Sequence, residues 1–243
     1  MSAADPLVEL NAVRKVFGSG SAAVVALDGV DLVVAGGTVT GLLGPSGSGK
    51  STLLNVIACI LEPDGGVLRL AGETVWEGTW RRRDLRALRR EKIGFIFQFH
   101  NLLPFLDARD NVALAMTLAG EGVAPARGRA EALLGELGVA HRARAMPATL
   151  SGGEAQRVAI GRALANAPRI ILADEPTAAL DSERAGKVMD LLVAIARERG
   201  AAVIVVTHDE KIFPRLDRIV RLRDGRVESD TAARREADAL PAA

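Results

Sequence analysis

The sequence predicts an α/β protein in which a parallel sheet is covered by helices, entered through antiparallel strands and interrupted by a helical block. Three observations carry this. Short apolar runs at 39–43, 93–97, 170–173 and 203–206 are separated by helical patterns, as in a parallel sheet buried on both faces. The stretches 7–16 and 24–34 instead alternate apolar and polar residues around the turn Gly18-Ser19-Gly20-Ser21, as antiparallel strands do. From 99 to 149 Ala, Leu, Arg and Glu dominate and the period is helical.

At 243 residues the chain is long enough to bury a sizeable core. With 49% hydrophobic and 25% charged residues it falls in the soluble globular class, and a net charge of +1 makes no electrostatic case for nucleic acid or an anionic membrane. Six Phe, two Trp and no Tyr leave little from which to build stacking platforms for single-stranded nucleic acid. The single cysteine, Cys59, excludes an intramolecular disulfide, and its place on an apolar face predicts a buried, inert thiol. No uncharged apolar run reaches about 18 residues, so no membrane span is expected. The first ten residues carry acids and no basic-then-apolar pattern, so no signal peptide is expected. A reducing, cytosolic setting is the default expectation.

Taken in order, the first strand ends at Phe17, whose ring could stack on a base or simply pack; both readings stay open. The run 39–43 leads into Gly44-Pro45-Ser46-Gly47-Ser48-Gly49-Lys50-Ser51-Thr52 and then into an apolar-periodic helix at 53–60. Strand, glycine-rich loop, helix is the context in which G-x-x-x-x-G-K-[ST] forms a phosphate cradle. The glycines let backbone N–H groups turn inward, and the helix starting at about Gly49 points its positive end at the same spot. Lys50 would reach the β- and γ-phosphates, and the Ser51 hydroxyl a Mg²⁺ ion. Glu62-Pro63-Asp64-Gly65-Gly66 is a turn and 67–70 a short strand. Arg81, Arg82, Arg83, Arg89 and Arg90, with Leu85 and Leu88 at i, i+3, predict a solvated amphipathic helix.

The strand 93–97 runs into Gln98, an amide placed to reach a metal or a water, or to act as a hinge. Asp107 can cap a helix over 109–119, and 126–137 forms another that Gly138 ends. His100 and His141 are expected to be structural. In Leu150-Ser151-Gly152-Gly153-Glu154-Ala155-Gln156 the Ser-Gly-Gly precedes a helical pattern and makes a second anion-binding helix N-terminus. One nucleotide does not need two γ-phosphate cradles, so this one is expected to serve the nucleotide of another copy in a head-to-tail pair with two-fold symmetry.

The run 170–173 ends in Asp174-Glu175, and 203–206 ends in Thr207-His208. Ligands of such sheets collect at the carboxyl ends of the strands. Gln98, Asp174, Glu175 and His208 are therefore expected at one edge, beside the phosphate loop. Successive side chains leave a strand on opposite sides. Asp174 is thus expected to hold the Mg²⁺ shell, directly or through water, and Glu175 to face an attacking water, while His208 reaches the γ-phosphate and that water. The expected catalytic set is Glu175, His208, Gln98 and Lys50, with Ser51, Gln98 and Asp174 on the metal. After Ser229 an Ala/Arg-rich tail, 229–243, is expected to fray.

Residues 44–51, Gln98, 150–156, 170–175, Ala179-Leu180-Asp181 and His208, in that order, resemble the ATP-binding cassette (ABC) transporter ATPases over about 7–227. The resemblance implies a P-loop NTPase with a RecA-like core, an N-terminal antiparallel β subdomain and an α-helical subdomain inserted at about 99–165, all one ATPase domain over 1–228. It implies ATP and Mg²⁺ as ligands, hydrolysis of ATP to ADP and phosphate, and a homodimer in which Ser151, Gly152, Gly153 and Glu154 act in trans on the partner's ATP. By the same resemblance Gln98 is the lid linking Mg²⁺ to a membrane partner, Asp181 lies at the dimer seam, and Phe17 takes the adenine-stacking place, where the family often has Tyr. Glu154-Ala155 departs from the more frequent Gln-Gln of the signature.

Ile93-Gly94-Phe95-Ile96-Phe97-Gln98 with Asn101-Leu102-Leu103-Pro104 resembles the branch that includes macrolide exporters, lipoprotein-release ATPases and the heterocyst glycolipid exporter ATPase, and Phe105-Leu106-Asp107-Ala108-Arg109-Asp110-Asn111-Val112 resembles the last. That implies a peripheral ATPase on the cytoplasmic face of the inner or plasma membrane. It would drive separate integral membrane permease subunits and, through them, periplasmic adaptor proteins, in an exporting or lipid- or lipoprotein-extruding system without nucleic acid. The alternative is a non-transport cassette of the cell-division regulator type, or one acting on nucleic acid or ribosomes. Cassettes of the latter kind usually carry two copies per chain, a long coiled coil or zinc insertions, against which one cassette, one cysteine and near-zero net charge count.

Overall fold

Two sheets organise the chain, which the computed structural model describes over residues 5–178 and 180–231. β1 (Pro6–Phe17), β2 (Val24–Ala35), β4 (Gly65–Leu70) and β5 (Glu73–Glu77) form an antiparallel sheet in the order β2-β1-β4-β5. A six-stranded sheet follows the order β10-β9-β3-β8-β7-β6, built from β3 (Val39–Leu43), β6 (Ile93–Ile96), β7 (Ile170–Asp174), β8 (Ala202–Val206), β9 (Arg218–Arg223) and β10 (Arg226–Asp230). Neighbours from β9 to β6 run parallel, and β10 turns back antiparallel to β9.

The apolar runs of the parallel strands are divided by the pleat between two cores. Ile170, Leu172, Ile204 and Val206 pack with the antiparallel sheet and α1 (Lys50–Ile57), through Leu53, Leu54 and Ile57. Ile171, Ala173, Val203 and Val205 face the other way, towards α3 (Ala108–Leu118), α4 (Val123–Glu136), α5 (Gly152–Leu164) and α6 (Ser182–Arg199). A period of two in each strand thus fills both layers, which is why the runs are apolar without a break. The remaining α-helix, α2 (Leu85–Lys92), buries Leu88 and caps its start with Asp84 accepting from the Ala87 N–H.

Several boundaries differ from the sequence expectations for physical reasons. The first helix begins at Lys50 and stops at Ile57, because Cys59 adopts a left-handed φ of 53° and ends the turn. The strand after α2 stops at Ile96. Arg89 does not stay in solvent: its Nη1 donates to the Cys59 carbonyl at 2.8 Å. Ser229 and Asp230 pair with Arg221 and Val220 in β10, so the expected fraying tail does not start there; its remainder, 232–243, lies outside the described residues, as does Ala179. β5, β9 and β10 are additional to the expected strands. In β9 Val220 and Leu222 point inward while Arg221 and Arg223 face solvent.

The helical segment has its own organiser. Asn111, fully buried on α3, accepts from the Leu103 N–H at 2.7 Å and donates to the carbonyls of Leu103, Leu106 and Asp107. One amide therefore folds the loop that follows β6 onto α3.

Candidate functional site

The loop between β3 and α1 follows a path open only to glycine at two points. Gly44 has φ 146° and a Cβ there would run into the Leu222 carbonyl, while Gly49 has φ 102° and its Cβ would strike the Ala26 carbonyl. The loop is thus pressed against β9 and β2 and curls around the Lys50 ammonium, which donates to the carbonyls of Gly44 at 2.8 Å and Pro45 at 2.7 Å. Ser48 is buried and braces the loop from within, its carbonyl accepting from the Gly225 N–H at 3.1 Å.

A cleft of about 570 Å³ opens over this loop. Ser46, Gly47, Ser51 and Thr52 line its floor, and Gln98, Asp174, Glu175 and His208 its sides. Four strand ends distant in sequence thus converge on one edge, as parallel topology requires. Val24 and Val25 of β2 form the remaining wall. Phe17 does not line the cleft; it pairs across from Val24, half-exposed, with the Lys15 ammonium 5.7 Å above its ring.

Asp174 and Glu175 sit in different environments. Burial, then the neighbouring Glu175 charge, pushes the Asp174 carboxyl up from its ordinary value, and Lys50 opposes the shift. Glu175 lies past the end of β7 in the left-handed region at φ 50°, its N–H bound to the Val206 carbonyl at 3.0 Å. Glu175 therefore follows a left-handed turn and not the extended strand that sequence reasoning invoked; a non-glycine residue there costs about 1–2 kcal/mol. Glu175 Oε1 lies 2.7 Å from His208 Nδ1, and this hydrogen bond raises the His208 pKa.

The Ser-Gly-Gly segment lies outside the cleft lining. Ser151 is the N-cap of α5: its Oγ accepts from the Glu154 N–H at 3.3 Å, and Glu154 Oε2 accepts from the Ser151 N–H at 2.7 Å, closing a capping box. Gly152 and Gly153 make its first turn. Asp181 is the N-cap of α6, accepting from the Arg184 N–H at 2.9 Å. Arg142 and Arg184 flank these two caps, and sequence reasoning missed both: Arg142 comes from the short turn Ala140–Arg142, and no spacing announces it. His141, expected to be structural, stands 3.6 Å from Glu154 Oε1. Burial pushes the Cys59 thiol up to about 12.

A glycine-rich phosphate loop at the head of a parallel sheet, with two carboxylates, an amide and an imidazole on the adjoining strand ends, defines a nucleotide-hydrolysing P-loop protein. The model of the ABC transporter family matches residues 27–178. A macrolide export ATP-binding/permease protein, MacB, from Wolinella succinogenes is 45% identical over 91% of this chain, which spans about a third of it (34%). The lipoprotein-releasing system ATP-binding protein LolD from Novosphingobium aromaticivorans is 43% identical over 92% of this chain and 99% of its own length. The dimeric ATP-binding cassette MJ0796, in a post-hydrolysis state with ADP and Pi, superposes with a TM-score of 0.83 at 41% identity, covering 92% of this chain and 97% of that one. The chain belongs to the ABC transporter family and is an ATP-hydrolysing cassette.

Proposed function

We propose that the chain powers a transporter, closing head to tail with a second copy around two ATP molecules and driving an integral membrane permease in an export or lipoprotein-extruding system. The observation that carries this is the division of the site. The cleft gathers the phosphate loop, Gln98, Asp174, Glu175 and His208, while the capped N-terminus of α5 stands apart from it with its anion-binding end open to another molecule. The solved cassette MJ0796 is dimeric, which supports the pairing. The names MacB and LolD, export and lipoprotein release, support the branch.

Within the cleft, Lys50 and the loop N–H groups hold the phosphates. Ser51, Gln98 and Asp174 offer a hydroxyl, an amide and a carboxylate, the oxygen donors Mg²⁺ prefers. Among the described residues no three His, Cys, Asp or Glu form an all-protein cage, so a cation here would lean on phosphate oxygens, and Asp174, strained by burial, gains from it. Mg²⁺, when bound, supplies charge neutralisation. Glu175 accepts the proton of the attacking water through the oxygen that His208 leaves free, and His208 orients that carboxylate and reaches the γ-phosphate. Phe17 contributes a half-exposed ring for the adenine, beside Val24 and Val25.

The permease docks on the face that follows Gln98. Phe99 and Phe105 are 73% and 72% exposed there, and Ile93, Phe95, Leu118 and Arg162 line an adjoining groove. Residues 1–228 act as one ATPase domain whose helical part, 99–165, carries the stroke. No helix among the described residues is long and apolar enough to cross a membrane. We place the chain peripherally on the cytoplasmic face, with any periplasmic adaptor reached only through the permease.

Size exclusion of Glu175→Gln tests the pairing. Glutamine keeps the shape and removes the base, so a dimer is expected with ATP and Mg²⁺, and none with Lys50→Ala. A Glu175→Gln protein that binds ATP and stays monomeric sinks the shared-site reading.

A further inference from the structure

The capping box of α5 sets two demands on one place. Glu154 reaches back to the Ser151 N–H at 2.7 Å, putting a full negative charge in the first turn of the helix. The same turn, on the reading above, receives a phosphate. The positive end of a helix favours either anion alone, but two anions at one terminus repel. Glutamine would close the same box without the charge.

This chain keeps the charge and sets cations against it. Arg142 Nε lies 3.4 Å from Glu154 Oε1. That Nε is buried and makes no hydrogen bond, so the pairing is ionic, and Arg142 Nη2 is held by the Thr149 carbonyl. His141 Nε2 stands at 3.6 Å from the same oxygen but is largely exposed. On the opposite side Arg184 packs against Gly153, yet its Nε is turned to Asp181 at 3.3 Å. Arg142 is the cation committed to Glu154.

The geometry points to Arg142 as a positioning residue for ATP hydrolysis, cancelling the Glu154 charge so that the Ser151-Gly152-Gly153 turn stays capped and still accepts the partner copy's γ-phosphate. This rests on the shared-site reading. With Arg142 beside it, a capping Glu at this turn leaves room for a second anion.

The test reads the ATP concentration that half-assembles the dimer in the Glu175→Gln background. Arg142→Ala is expected to raise it about tenfold. Adding Glu154→Gln to Arg142→Ala should bring it back to within about threefold, because the charge that needed a partner is gone. Glu154→Gln alone should lower it. Arg142→Gln, which keeps a donor for the Thr149 carbonyl and loses only the charge, should match Arg142→Ala, and melting curves without ATP confirm that each variant is folded. No change with Arg142→Ala, or a loss that Glu154→Gln leaves unrelieved, overturns the inference: Arg142 then serves the Thr149 carbonyl alone. A Glu175→Gln parent that binds ATP and never dimerises instead brings down the shared-site reading and this role with it.

Discussion

His208 and Glu175 are the pair to which we assign the proton transfer, and their coupling has a measurable sign. The Glu175 hydrogen bond raises the imidazole pKa, with its charge adding and slight desolvation opposing. A raised folded value means that the pair's contribution to stability is present in full below the ordinary histidine pKa. It is lost as pH rises through the higher folded value. The His208 side chain is 77% exposed, so the contribution to stability is small and screened, and the titration itself is the better readout. An NMR titration should place the His208 midpoint above about 6.5 in the wild type, with Glu175→Gln bringing it down. An unchanged midpoint in the variant would mean that Glu175 does not hold the ring. At this scale the motif side chains were legible because their chemistry is tied to local order: a phosphate loop reads from its own eight residues. Arg142, Arg184 and the left-handed Glu175 were not legible. The first two act on partners that only tertiary packing brings near, and the last depends on a backbone angle that no residue type announces.

The loop from β6 to α3 shows how an element is made from one residue. Asn111 satisfies a backbone donor and three carbonyls at zero exposure, in a stretch that has no ladder of its own. Asn111→Ala leaves the Leu103 N–H and the Leu106 carbonyl without that partner, while the Leu103 and Asp107 carbonyls keep the N–H groups of Leu106 and Asn111, a loss of about 2–4 kcal/mol by analogy with buried networks. Chemical denaturation should show it as a lower midpoint, and a midpoint equal to the wild type would mean that the loop is held by something else. The parallel strands were legible because full burial leaves only apolar residues, whereas β9 was masked by its arginines. Arg218, Arg221 and Arg223 give it a charged composition, and only the alternation of Val220 and Leu222 reveals the strand. β10 reads as polar because one of its faces meets solvent and Arg218 clamps Asp230 from the neighbouring strand.

Under the proposed pairing the whole molecule is a site cut in two, and the cut itself makes a prediction. The phosphate loop and the Ser151 turn belong to different surfaces of one chain, so under the proposed pairing each ATP is held by the loop of one copy and the turn of the other. Lys50→Ala destroys the loop and spares the turn. Ser151→Arg blocks the turn and spares the loop. Each variant alone should be inactive, because every site in its homodimer has one damaged half. Mixed, they form a heterodimer in which one site takes its loop from the Ser151→Arg chain and its turn from the Lys50→Ala chain, both intact, while the other site is doubly damaged. If chains pair at random, half the dimers are mixed and each has one working site of two. The mixture should then recover up to about a quarter of the wild-type ATPase rate in a two-fold, head-to-tail assembly. Should each chain complete its own site, mixing would restore nothing, and the head-to-tail pairing would have to be abandoned. The same experiment bears on transport, because only a shared site makes closure of the dimer, and hence the stroke on a permease, conditional on ATP held between the two copies.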